Sequence, residues 1–159
     1  MTGADPDTLV KAFYAAYASH DTDRLMALMH DDISWSVSGP IDVLSFCGIR
    51  RGKAAVRDLV DRIVPKTYRV VRFVQDSVLV DGDRAATLNR MSGRRCDDGR
   101  IINYRLAHFL RFEAGKLIEN VSIIDSFDVV EQMIGHSLSF QDAPASDVRL
   151  SPAADLVAI

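Results

Sequence analysis

One histidine, His108, lies in the middle of an apolar segment whose alternating pattern is typical of a β-strand. The alternation places Tyr104, Leu106, His108 and Leu110 on one face of that strand. If this face lines a cavity, a neutral imidazole on it can donate or accept a proton near pH 7. His108 is therefore our first candidate for an acid/base group. The alternative is a core histidine hydrogen-bonded to a neighbour, or a histidine in a dimer interface.

Three polar residues on the following segment are candidates for its partner. Asn120 and Ser122 share one face of the next predicted strand, and Asp125 follows the end of that strand. Asp125 could orient or protonate a group beside the histidine, because a carboxylate near imidazole holds its tautomer. Asp125 also stands directly before Ser126 and a predicted helix, and a helix N-cap accounts for it more simply.

The length of the turn at residues 113–116 decides which residue lies beside His108. A three-residue loop pairs His108 with Ser122, whereas a two-residue loop pairs it with Val121 and turns Ser122 outward. We favour the first arrangement because it groups the polar atoms.

The preceding hairpin supplies two further candidates. If Arg95 pairs with Arg100, then Asn89 and Met91 share the face of His108. Asn89 is then either a ligand contact or a hydrogen-bonded core residue.

Several aromatic side chains could form the wall of a pocket for a flat, ring-containing ligand. They are Phe13, Tyr17, Trp35, Phe46 and Tyr104. Core packing also requires such residues, so each has a structural alternative. Cys47 is not read as a nucleophile, because no charged group or helix N-terminus adjoins it in sequence.

Hydrophobic periodicity predicts the elements that position these residues. We expect helices at 6–19, 21–32 and 52–64, with Pro65 ending the third, and a final helix from Ser126 to Gly135. We expect a short strand at 33–37 and longer strands at 68–80, 84–95, 100–112 and 117–124. Helices followed by a run of antiparallel strands indicate the α+β class. We expect three N-terminal helices packed on the concave face of a curved, mostly antiparallel sheet, with a short C-terminal helix. Such a cone encloses an apolar cavity.

Length and composition set the boundaries of this interpretation. The 159 residues predict one domain over residues 1–140, followed by a tail at 141–159 that is either disordered or docks through Leu150 and Leu156. A net charge of −3 argues against a nucleic-acid binder. No long apolar run or secretory signal is visible, which predicts a cytoplasmic protein without a membrane segment. Neither metal-type spacing nor a phosphate-binding loop is present, so we expect no metal and no cofactor.

Three stretches resemble the NTF2-like superfamily, in particular its SnoaL-like and ketosteroid-isomerase-like proteins. They are residues 13–35, 46–59 and 108–135, and the resemblance covers most of residues 7–136. It implies the cone fold and a homodimer, with the apolar outer-face residues Ala107 and Phe109 needing cover. Since this superfamily hosts isomerases, cyclases, dehydratases and binding modules, the fold leaves the function open.

Catalytic positions of these relatives transfer only in part. Those of a ketosteroid isomerase would fall on Phe13, Val37 and His108, and two of these are apolar. The SnoaL-like cyclase histidine corresponds to His108, whereas the cyclase aspartate corresponds to Ser122 unless Asp125 has taken its role.

The sequence favours an enzyme that moves a proton next to a carbonyl in an apolar pocket. His108 would be the acid/base group, Asp125 or Ser122 its support, and Asn89 and Tyr104 orienting groups for a small apolar or aromatic molecule. The alternative is a non-catalytic ligand-binding or dimerisation module. A catalyst should show His108 within hydrogen-bonding reach of a carboxylate in a cavity, and a binding module should show the cavity without that pair.

Overall fold

The computed structural model describes residues 5–139, and its elements follow the order expected for an α+β chain. Helices α1 (Pro6–Ala18) and α2 (Thr22–Ala27) precede strands β1 (Met29–Val37) and β2 (Gly48–Arg51). Helices α3 (Lys53–Asp58) and α4 (Val64–Thr67) flank a π-helical turn, Leu59–Ile63. Strands β3 (Tyr68–Asp81), β4 (Arg84–Arg95), β5 (Ile101–Glu113) and β6 (Lys116–Ile124) lead to helix α5 (Ser126–Ile134). The predicted tail at 141–159 lies outside the described residues.

Within residues 5–139, the strands form one sheet in the order β2-β1-β6-β5-β4-β3. Every neighbouring pair is antiparallel except β1 and β6, which run parallel. This curved sheet, with the N-terminal helices on its concave face, confirms the predicted fold class and cone. None of the helices in the described range is long and apolar enough to cross a membrane.

Burial alternates along the two central strands, as a sheet with one covered face requires. The inward positions of β5 are buried from Ile102 to Phe112, and they include His108. Helix α1 covers this face with Leu9, Val10 and Phe13. The residue sequence Asp5-Pro6 predicts a side-chain N-cap, but Asp5 makes none, and only its carbonyl accepts the Leu9 N–H at 3.0 Å.

The β5–β6 hairpin reaches the favoured register by an unexpected route. Its turn has only two residues, Ala114 and Gly115, both with positive φ, so the three-residue loop that we favoured is wrong. The register then shifts between Arg111 and Phe112, because Ile118 on β6 has no partner. The bulge moves the register by one residue, which offsets the shorter turn. His108 therefore pairs with Ser122 and not with Val121.

Two predicted boundaries are wrong at the start of the sheet. Helix α2 ends at Ala27, not at Asp32, because Met29 already pairs with Leu117 in the parallel ladder. The segment read as an irregular loop contains β2, a four-residue edge strand that pairs with β1. Its two arginines and short length hid the strand pattern.

Pro65 does not end the third helix, contrary to the prediction. A proline cannot donate to the carbonyl four residues earlier, and its ring clashes with that carbonyl. The π-helical turn Leu59–Ile63 widens the backbone immediately before it, and helix continues as α4 to Thr67. This widened segment brings Val60 and Val64 to the mouth of the cone.

A glycine on β4 makes room for an aromatic ring at the end of the cone. Gly93 faces inward, and a Cβ there would lie 2.5 Å from Cδ2 of Tyr68. Only the absence of a side chain lets the Tyr68 ring lie flat over β4. That position brings Tyr68 into edge-to-face contact with both Phe46 and Tyr104.

Candidate functional site

The candidate site lies inside the cone, where the inward faces of three neighbouring strands meet. His108 on β5 pairs with Thr87 on β4 and with Ser122 on β6. All three side chains are buried, as is Asn89 one inward position further along β4. The register predicted from Arg95 and Arg100 is confirmed, since Asn89 lies opposite Leu106 and Met91 opposite Tyr104.

A chain of hydrogen bonds runs from β4 through helix α1 to the histidine. Asn89 Nδ2 donates to Thr87 Oγ1 at 2.9 Å, and Thr87 Oγ1 lies 2.5 Å from the hydroxyl of Tyr14. The same Tyr14 hydroxyl lies 2.7 Å from Nδ1 of His108. The two rings are parallel, with an interplanar angle of 2°. Tyr14 therefore fixes the imidazole from the helix side.

The direction of this chain sets the tautomer of His108. Asn89 Nδ2 lies 3.5 Å from the Leu106 carbonyl, which identifies it as the NH₂ group and makes Thr87 its acceptor. Among residues 5–139, the Thr87 hydroxyl has only Tyr14 left to donate to, and Tyr14 then donates to Nδ1. With both hydroxyl hydrogens of the chain paired in this way, the proton of His108 is on Nε2. In the described chain Nε2 has no partner, and His108 lines the cavity.

Burial keeps this site uncharged at neutral pH. Desolvation lowers the pKa of His108 to about 4, because no carboxylate compensates the imidazolium. The same effect raises the pKa of Tyr14 to about 12, and that of Tyr17 to about 12. His108 is thus a neutral hydrogen-bond donor through Nε2, and not a cationic acid.

Two other polar groups on the wall are already paired. The Tyr68 and Tyr104 hydroxyls lie 2.6 Å apart, and Tyr104 donates to the Met91 sulfur at 3.6 Å. Burial raises the pKa values of both phenols. On the other side of the histidine, Asn120 Nδ2 donates to Ser122 Oγ at 2.8 Å.

The space inside the cone has two compartments. The inner cavity is small, about 50 Å³, and its wall is mostly aromatic and aliphatic. A vestibule of about 490 Å³ lies between the α1–α2 turn and the α4–β3 segment. Tyr17, Val60, Val64 and Tyr68 line both compartments and so separate them. The two spaces together reach the size of ordinary ligand sites, whereas the inner cavity alone holds a small group.

The structure gathers most of the residues proposed from sequence around this cavity. Those on its wall are Tyr17, Trp35, Phe46, Met91, Tyr104, His108 and Ser122. Phe13 is packed in the core against Tyr14, Tyr17 and Trp35 and does not line the cavity. Asn89 also lies off the wall, where it begins the hydrogen-bond chain to His108.

Asp125 is not placed with the histidine. It is the N-cap of α5, where its side chain accepts the Asp128 N–H at 3.3 Å. It lines a separate surface groove beside Arg72, Arg90 and Arg105. Among the described residues, the wall of the inner cavity carries no carboxylate.

Sequence reasoning missed Tyr14, Thr87 and Tyr68. The spacing of Leu9, Val10, Phe13, Tyr14 and Tyr17 predicts only one apolar stripe on α1, and the resemblance to the isomerases assigns a catalytic position to Phe13, one residue before Tyr14. The available signal was its hydroxyl, since a buried tyrosine needs a hydrogen-bond partner. Thr87 gave no signal beyond its inward position on β4.

Residues that could hold a metal are not clustered. Within the described part of the chain, no group of three or more His, Cys, Asp or Glu side chains comes together. Burial raises the pKa of the Cys47 thiol to about 11, so it is protonated at neutral pH.

A family model for the SnoaL-like domain matches residues 10–120, which is more than half of the chain. The chain belongs to the SnoaL-like domain family. Among curated proteins, none matches the sequence.

Solved structures agree with this assignment of the SnoaL-like chain. A putative isomerase from Rhodopseudomonas palustris is 34% identical, covers 86% of this chain and 100% of its own, and superimposes with a TM-score of 0.72. An NTF2-like protein from Burkholderia thailandensis is 25% identical over 84% and 98% of the two chains, also with a TM-score of 0.72. TerC, co-crystallised with polyporic acid, has the same fold at 17% identity, 79% and 98% coverage and a TM-score of 0.68.

Replacing Tyr14 by Phe tests the hydrogen-bond chain. The change leaves the Thr87 hydroxyl hydrogen without an acceptor and His108 Nδ1 without a donor in a buried region, and we expect the free energy of unfolding to fall by about 1–3 kcal/mol. Tyr17→Phe is the matched control, because the Tyr17 hydroxyl has no hydrogen bond within residues 5–139. Urea unfolding measures the free energy of unfolding of both variants. Equal losses in the two would contradict the hydrogen-bond chain through Tyr14.

The buried histidine also predicts a pH dependence of stability. The unfolded chain protonates His108 near its ordinary pKa of 6.5, whereas the folded protein does so only near about 4. Protons therefore favour the unfolded state between these values, and stability present above pH 6.5 is lost as the pH falls toward 4. The loss attributable to His108 is about 3 kcal/mol. The free energies of unfolding of wild type and His108→Gln are measured in urea between pH 4 and 6.5. If both fall by the same amount as the pH is lowered, the prediction is contradicted.

Proposed function

We propose that this SnoaL-like protein binds a small apolar carbonyl compound inside the cone, with its oxygen accepting a hydrogen bond from His108 Nε2. The observation that carries the proposal is the buried imidazole of His108, which burial keeps neutral and which the chain through Tyr14 leaves with its N–H at the cavity wall. Apolar walls with few convergent polar groups are typical of small-molecule sites. The vestibule receives the part of the ligand that exceeds the inner cavity.

Binding without chemistry is the function that the geometry favours. The criterion set by the sequence for a catalyst was a carboxylate near His108, and the described cavity wall has none. With Nδ1 occupied by Tyr14, the ring also lacks a free lone pair that could remove a proton from carbon.

Isomerisation next to the carbonyl is the second candidate. Its support is the 34% identity to a putative isomerase, over nearly the whole of both chains. A neutral histidine that donates to a carbonyl oxygen can polarise it and acidify the neighbouring C–H bond. In this scheme the leaving proton goes to solvent or to a basic group of the substrate, His108 stabilises the resulting enolate oxygen, and the same acceptor returns a proton to a different carbon.

A ligand screen separates the two candidates. Natively purified protein is tested by thermal shift and mass spectrometry with ring-containing ketones, polyketide-like aromatics and steroids. We expect ketones to raise the melting temperature and to be recovered unaltered. A compound that is converted by wild type and not by His108→Phe would establish isomerisation, and a complete absence of binding would contradict the proposal.

Asp125→Ala distinguishes the helix cap from a place in the site. We expect a loss of stability of about 1 kcal/mol, the usual size of an N-cap contribution, with ligand binding retained. Loss of binding at full stability would return Asp125 to the candidate site.

We also propose that a second copy of the chain covers the outer face of the sheet. The strand register aligns Leu79, Ala86, Phe109 and Val121 in one apolar row across four strands. Leu79 is 73% exposed and Phe109 49%, which is unusual for large apolar side chains in a continuous row. A homodimer would bury this row.

Sedimentation velocity tests the dimer. We expect the wild type to be dimeric and Phe109→Glu to be monomeric with an unchanged fold. Ile49→Glu, which changes an equally exposed residue on the edge strand, is the matched control and should remain dimeric. A monomeric wild type at micromolar concentration would contradict this proposal. A cytoplasmic location and a site that needs no cofactor stay predictions from the sequence.

A further inference from the structure

We infer that the inner cavity selects its ligand by hydrogen-bond polarity, taking a polar atom that accepts and disfavouring one that must donate. The inference rests on the proposed function and deepens it, because it assigns the chemical class of the buried polar group. It follows from the donor hydrogens on the cavity wall that have no acceptor within the described part of the protein.

The first spare hydrogen belongs to His108. The donor chain from Asn89 through Thr87 and Tyr14 ends on Nδ1, so the ring carries its proton on Nε2. A neutral imidazole in this tautomer can only donate from Nε2.

The second belongs to Ser122, the cross-strand neighbour of His108. Its Oγ accepts a hydrogen bond from Asn120 Nδ2 at 2.8 Å. In the described structure the hydroxyl hydrogen of Ser122 has no acceptor of its own, and Ser122 lines the cavity beside His108.

The third belongs to Trp35 on β1, which lies two strands from His108. Trp35 is 5% exposed and lines the cavity, and its indole Nε1 is a buried donor with no acceptor within residues 5–139. An indole N–H cannot accept. Because an unpaired buried donor costs free energy, a ligand oxygen that accepts from Nε1 would remove that cost.

Among the described residues, no side-chain nitrogen or oxygen on the cavity wall can only accept, apart from His108 Nδ1, which Tyr14 occupies. The orphaned acceptors among the described residues are Asn89 Oδ1 and Asn120 Oδ1, and neither side chain is on the cavity wall. Tyr104 donates to the Met91 sulfur, so the hydrogen between the two phenols comes from Tyr68, whose oxygen can still accept. The free Tyr17 hydroxyl stands between the inner cavity and the vestibule, where it can turn toward either.

The matching ligand carries a buried acceptor without a hydrogen: a ketone, a quinone or an ester carbonyl. An alcohol or amine of the same shape brings a hydrogen that the donor-only groups of Trp35 and His108 cannot accept, so it depends on a hydroxyl of the wall for its acceptor. Sites built with fixed hydrogen-bond polarity discriminate strongly against ligands of the wrong polarity, because one buried group is then left unpaired.

Three compounds of nearly equal shape test the inference. Tetralin has no polar group, 1-tetralone has an acceptor only, and 1-tetralol has both a donor and an acceptor. In calorimetric titrations we expect 1-tetralone to bind about tenfold more tightly than 1-tetralol, the order of effect of one unpaired buried group. We also expect it to bind more tightly than tetralin. Similar affinities for the ketone and the alcohol, both better than tetralin, would overturn the inference and leave the proposed function standing.

Two conservative variants locate the source of the preference. Trp35→Phe keeps an aromatic ring and removes the N–H, and Ser122→Ala removes only the hydroxyl. Each should reduce the ketone-to-alcohol ratio severalfold while leaving tetralin affinity unchanged. Ser92→Ala, on the outer face of β4, is the control and should keep the wild-type ratio.

Thermal unfolding confirms that each variant is folded before it is titrated. An unchanged ratio in both folded variants would show that Trp35 and Ser122 do not contact the ligand and would overturn the inference. Failure of the wild type to bind any of the three compounds would contradict the proposed function, and this inference with it.

Discussion

The hydrogen bond from the Tyr14 hydroxyl to His108 Nδ1, 2.7 Å long, is the interaction on which the site depends. It joins the first helix to the central strand β5 across the inside of the cone, so the packing of α1 and the position of the imidazole are set together. It also decides which ring nitrogen carries the proton. Thr87 and Asn89 support it from β4, and because they are buried beside it, no water competes for the phenol.

Much of the fold follows from local sequence patterns, because helices and paired strands leave periodicities of 3.6 and 2. The inward face of β5 and the pairing of Asn89 and Met91 with it were readable in this way. What could not be read was set by geometry outside the pattern. A two-residue turn would normally move Val121 beside His108, and only the unpaired Ile118 restores Ser122. No periodicity announces a bulge, since it breaks the pattern by one residue.

In the candidate site, too, the class of residue was predictable from the sequence pattern, whereas its exact position was not. Aromatic side chains on the cavity wall were predictable as a class, but which of them reaches the cavity depends on one-residue differences along α1. Phe13 turns into the core, Tyr14 toward His108, and Tyr17 toward the mouth, although the helical spacing of the three predicts a single apolar stripe. Asp125 carried two roles in sequence, and only the backbone of α5 shows which of them its side chain fulfils.

The parallel pairing of β1 with β6 has a consequence for how the chain acquires its cavity. Trp35 lies beside Asn120, so the wall that carries the indole is completed by residues from opposite ends of the domain. Closing so long a loop is slow relative to forming the β3–β6 meander, whose strands are neighbours in sequence. During synthesis β3, β4 and β5 can pair with one another before β6 emerges, whereas β1 joins the meander only through β6. The ligand chamber is therefore completed late in folding, and a chain interrupted before β6 would lack both Ser122 and the strand that holds β1 beside the meander.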